Sequence, residues 1–87
     1  MHDDPLQRMI LEDVFEEILL LLTPAEREVA VLRAKGLLDW QIAEILGIRR
    51  AAVAMRMVRA RQRVARQAPQ LAPYLSGRRL WPGEGGP

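Results

Sequence analysis

The chain has no cysteine and one histidine, His2. No disulfide framework or thiolate metal site can form, and one imidazole near the chain end cannot build a tetrahedral zinc site. There is no glycine-rich phosphate loop after a strand pattern, so no catalytic constellation, cofactor or metal is expected. Acids one turn apart, such as Glu12 and Glu16, read as a solvated helix face. No apolar run reaches the roughly 18 residues that a membrane helix needs, so no membrane contact is expected. A basic, apolar leader is missing as well, which points to the cytoplasm rather than export. Lysine is almost absent: every basic residue except Lys35 is an arginine.

What remains is a short chain of 87 residues, 49 % of them apolar. At this length one domain can form, burying only about 60–65 % of the unfolded chain's surface, so a compact helical core is expected. The net charge of +2 conceals an uneven distribution. Residues 1–44 carry ten acids against four bases, net −6, whereas residues 45–87 carry nine arginines against Glu84, net +8. That asymmetry suggests an acidic face and a polyanion-facing one. The plainer alternative is an arginine-rich helix that is solvated and pairs with acids of the first half.

Asp4-Pro5-Leu6-Gln7 has the form of a helix start, with Asp4 as N-cap, Pro5 at the first helical position and Gln7 reaching back. The helix runs to about residue 22, with Leu6, Ile10, Val14, Ile18 and Leu22 on one face and Glu12, Asp13, Glu16 and Glu17 making much of the rest acidic. Residues 18–22 are apolar all round, so this end is central to the core or covered by another chain. Thr23-Pro24-Ala25-Glu26 is a capping box with proline at the first helical position, opening a helix over 24–35 that carries Ala25, Val29 and Leu32 and stops at Gly36. Residues 67–87 change in character. Pro69 and Pro73 end the long helix, Leu71, Tyr74 and Leu75 can pack back in a short turn, and the stretch from Ser76 reads as a Pro/Gly-rich tail. Leu80-Trp81 is the apolar exception there, an anchor on its own domain or on a partner.

Residues 38–66 carry the densest pattern: two helices, 39–46 and 50–66, joined by a tight turn at Gly47-Ile48, a helix-turn-helix arrangement. Asp39 can cap the first, Gly47 supplies the left-handed residue that ends it, and Ile48 plugs the turn into the core. Val53, Met57, Ala60 and Val64 form one buried stripe, with Arg56, Arg59, Arg63 and Arg66 running parallel to it at a spacing suited to successive phosphates. Trp40, on the first turn of the shorter helix, reads as a partly buried indole covering a helix junction. The whole is an all-α bundle of about four helices, near 5–22, 24–35, 39–46 and 50–66. The acidic helix of residues 1–22 belongs to the same domain as the core of residues 23–66.

Residues 22–66 resemble the fourth conserved region of sigma-70-type bacterial sigma factors, and almost equally the C-terminal DNA-binding domain of LuxR-type response regulators. The match rests on Leu22-Thr23-Pro24, Glu26-Arg27-Glu28-Val29, Gly36, Ile42-Ala43, Leu46-Gly47-Ile48 and Val53, while Arg56 and Arg59-Ala60-Arg61 tilt toward the sigma type. The resemblance implies a stand-alone, bacterial or phage, transcription-related module that binds double-stranded DNA, with RNA polymerase as a further partner. Base edges would face Arg50, Ala51, Ala54 and Met55, and Arg49 would approach the groove. Two positions depart from the pattern. Arg49 replaces the usual serine or threonine of the turn and Ala52 the usual threonine, so a cap and a phosphate contact are both missing.

Two functions follow from these residues. In the first, Arg56, Arg59, Arg63 and Arg66 hold phosphates, Arg49 and Arg50 approach the groove, and small alanines permit close approach with little sequence specificity. In the second, the face formed by Ala51, Ala54, Met55, Val58 and Ala65, with Gln62 its one polar member, binds a protein: a second copy of the chain or the transcription machinery. A homodimer through the first helix or this outward face is compatible with both.

Overall fold

Each break between helices is encoded in local chemistry. Thr23 is extended (φ −68°, ψ 161°), as expected for a residue before proline. Its Oγ1 accepts from the Glu26 N–H at 3.2 Å, and Glu26 Oε1 accepts from the Thr23 N–H at 3.1 Å, closing a reciprocal capping box. The box separates α1 (Pro5–Leu21) from α2 (Pro24–Ala34). Gly36, at φ 94°, ends α2: its N–H donates to the Arg33 carbonyl and the Leu37 N–H donates to the Leu32 carbonyl. The same pair of bonds ends α3 (Asp39–Leu46), where Gly47 has φ 68° and the Ile48 N–H donates to the Ala43 carbonyl at 3.0 Å. Three residues after α3, α4 (Arg50–Gln67) begins. It ends at Ala68, held at φ −146° and ψ 71° by the proline that follows. A 3-10 turn (Pro69–Leu71) and a short α5 (Pro73–Ser76) complete the chain described.

The structure is a computed structural model and describes residues 5–76. The Asp4 cap, the side chains of Gln7 and Leu75, and the Leu80-Trp81 pair with the rest of segment 77–87 lie outside the described residues. Among the described residues the architecture is all-helical, four main helices closing on one core. The core takes Ile18 and Leu22 from α1, Val29 and Ala30 from α2, Ile42 and Ala43 from α3, and Val53, Met57, Ala60 and Val64 from α4. α4 is the shared partner: α1, α2, α3 and the 3-10 turn all pack on it. Ile48 and, from the C-terminal turns, Leu71 and Tyr74 pack against the same cluster. No helix among the described residues is long and apolar enough to cross a membrane.

Two expectations need correction. Asp39 does not cap α3: the N-cap is Leu38, which has no side-chain acceptor, and only the reverse bond forms, from the Leu38 N–H to Gln41 Oε1 at 2.8 Å. Asp39 sits one residue inside the helix and pairs with Arg33 at the end of α2, where the guanidinium brings a full opposite charge to the carboxylate. The apolar face of α1 is also shorter than its pattern. Val14, Ile18 and Leu22 reach the core, but Leu6 and Ile10 are at least half exposed, since the first half of the helix runs past the cluster. Within residues 18–22 helical rotation decides: Ile18 and Leu22 are buried, while Leu20 is 80 % exposed.

The core and the turn can be tested separately. Ile42 is fully buried, so Ile42→Ala is expected to cost about 2–5 kcal/mol, read as a lower urea midpoint with an unchanged slope. A Cβ at Gly47 would meet nothing within 4 Å, so Gly47→Ala should cost only the left-handed backbone penalty of about 1–2 kcal/mol.

Candidate nucleic-acid interface

α4 is amphipathic in an unusual sense: one side is buried, and the opposite side is apolar as well. At about 100° per residue its buried residues, Val53, Met57, Ala60 and Val64, share one line. Opposite them Ala51, Ala54, Met55, Val58, Gln62 and Ala65 form a strip, every one of them exposed. The same rotation sets arginines along both edges of this strip: the exposed Arg59 and Arg66 on one side, the exposed Arg50 and the half-buried Arg61 on the other. Arg49, the N-cap residue, is exposed at the end of the row and makes no side-chain cap bond.

The expected row of four phosphate-facing arginines divides in two. Arg59 and Arg66 are exposed, whereas Arg56 and Arg63 lie closer to the buried line and are half-buried. Arg63 turns to α2. Its Nε donates to Glu26 Oε1 at 2.9 Å and its Nη2 to Glu26 Oε2 at 3.1 Å, a two-pronged bond to a carboxylate that is itself buried. The Arg63 guanidinium therefore joins helices, and the plainer alternative of pairing with an acid of the first half holds for this residue. A separation of 37 residues hides the pair from local pattern. The rotation of Arg63 toward the buried stripe, relative to Arg59, is the clue that would have exposed it.

Glu26 thus serves two helices at once, capping α2 and anchoring α4. The Arg63 hydrogen bonds hold its carboxyl below the ordinary glutamate range, against the upward push of burial, with the Thr23 N–H assisting. Glu26 in turn holds the Arg63 guanidinium more firmly protonated, chiefly through the same hydrogen bonds. Nearby, Arg27 closes the end of α1: its Nε donates to the Leu19 carbonyl at 3.1 Å and its Nη2 to the Leu22 carbonyl at 3.2 Å. Trp40 is exposed, with 46 % of its surface in solvent, and does not join the core cluster, unlike the partly buried indole expected at this junction. Val31, Leu32, Ile45 and Leu46 line an open groove of about 510 Å³ between α2 and α3, with Arg27 and Glu28 on its rim.

No family model matches this sequence, and neither a curated protein nor a solved structure matches it.

The lowered Glu26 pKa has a definite sign in stability. Because the folded value lies below the unfolded one of about 4.3, the unfolded chain binds the extra proton between the two, and stability rises with pH across that window. The contribution is complete above about pH 4.3 and is lost as pH falls through the folded value. Urea midpoints followed from neutral to acid pH should fall more steeply for the wild type than for Glu26→Gln, which has no such proton to take up. Parallel curves would contradict the assignment.

Proposed function

We propose that the protein binds duplex DNA as a transcription-related helix-turn-helix module of the bacterial cytoplasm, with α3 and α4 as the motif and α4 in the major groove. The observation that carries this reading is an exposed face of α4 flanked by exposed arginines, Arg59 and Arg66 on one edge and Arg50 on the other. A helix with its side chains is about 10–12 Å across and the major groove about 12 Å wide, so arginines on both edges can meet the phosphates of both strands. Arg49, Arg50, Arg59 and Arg66 are the phosphate and groove-edge residues in this account; Ala54 and Met55 face the groove floor. The strip between the rows offers few hydrogen bonds, so affinity rests on phosphates and sequence discrimination through hydrogen bonds is weak.

The test is anisotropy of a labelled random-sequence duplex titrated over a salt series. Log affinity should fall linearly with log salt at a slope of about −3 to −5. Exchanging both Arg59 and Arg66 for alanine should weaken all duplexes alike and reduce the slope by about 2. Undiminished binding by that variant would sink the reading. A second reading, docking of a protein such as RNA polymerase or another copy of the chain, is favoured by Met55 and Val58 standing in solvent. On that reading Met55→Glu abolishes association and leaves the helical circular dichroism unchanged.

A further inference from the structure

The strip along α4 has a chemistry that phosphate contacts leave unused. From Ala51 to Val58 its outward residues are Ala51, Ala54, Met55 and Val58, and none of them has an N–H or O–H to offer a base edge. Met55 and Val58 keep 47 % and 39 % of their surface exposed. The polar features of the major-groove floor are acceptors and amino donors, and an apolar row satisfies none of them. One feature there is apolar: the methyl group on C5 of thymine. A methyl on C5 of cytosine projects from the same ring position, while uracil and unmodified cytosine present only hydrogen.

We propose that Ala51, Ala54, Met55 and Val58 form a contact surface for pyrimidine C5-methyl groups, so that the protein selects duplexes by their methyl content. The inference rests on the duplex-binding reading above. Between residues 51 and 58 the helix advances about 10 Å, the length of about three base pairs at about 3.4 Å each. Alanine at positions 51 and 54 lets the backbone come close to the bases, and the unbranched Met55 adjusts to the methyl it meets. Arg50, at the N-terminal edge of the row, supplies the one donor suited to a neighbouring guanine. Each methyl covered contributes about threefold to fourfold in affinity.

The experiment titrates the 87-residue chain at one salt concentration into paired duplexes of identical sequence. One pair carries thymine or uracil throughout; the other, rich in G·C, carries cytosine or 5-methylcytosine. The expected result is a loss of about threefold to fourfold for each contacted methyl removed, and a matching gain from 5-methylcytosine. Met55 and Val58 are exposed, so the double variant Met55→Ala with Val58→Ala should keep its helical circular dichroism and its salt slope. Its thymine-to-uracil affinity ratio should shrink to the share that Ala51 and Ala54 still supply. Equal affinity for thymine and uracil duplexes, with salt-dependent binding intact, overturns methyl recognition and leaves the phosphate reading standing. An undiminished ratio in the double variant also overturns it, because discrimination then arises from duplex shape. Absence of binding to any duplex at low salt overturns both readings and gives the face to a protein partner.

Discussion

Burial of a single stripe on α4 is the constraint on which the rest of the molecule depends. Val53, Met57, Ala60 and Val64 are each within a few per cent of complete burial, and every other main helix places its own buried residues against them. In a domain this small no second cluster could take over that role. Fixing one side of a helix fixes the opposite side as well. Once the stripe faces inward, Ala51, Ala54, Met55 and Val58 face outward, and the arginines beside them become the edges of a presented surface.

The Glu26–Arg63 bond ties the C-terminal half of the long helix to the first turn of α2, beside the buried Ala60 and Val64. Glu26 Oε1 accepts from both the Thr23 N–H and Arg63 Nε, so the cap that starts α2 and the tether of α4 share one oxygen. The arrangement also changes the electrostatic picture drawn from charge counts. One arginine of the basic half is neutralised internally, and the outward field of α4 comes from the residues at the strip's edges instead.

Most of the fold could be read from residues. The capping box at Thr23 and Glu26, the left-handed glycines at 36 and 47, and the 3.6-residue spacing of the α4 stripe act locally, and local chemistry survives folding with little change. Long-range choices were the ones that could not be read. Asp39 had the right identity for a cap, but Arg33 competed for it from the preceding helix. Leu6 and Ile10 fit an apolar face whose length exceeded the core available to cover it. Of the candidate site, the exposure of Arg49, Arg50, Ala54, Met55, Arg59 and Arg66 agrees with the pattern, while Arg63 was separated from its row by an acid in another helix. In each case the residue's chemistry was correctly read, and what the pattern could not supply was its partner.

The proposed contact of duplex DNA with the outward strip of α4 and its flanking arginines is open to direct test. The most direct measurement is a titration of isotope-labelled protein with a short duplex, followed by NMR through backbone amides and the methyl groups of Ala51, Ala54, Met55 and Val58. Shifts from that contact should concentrate on these methyls and on the amides of residues 49–66, leaving Leu6, Met9 and Leu20 on α1 unmoved. Shifts confined to α1 or to the groove lined by Val31 and Ile45, with the strip silent, would contradict it.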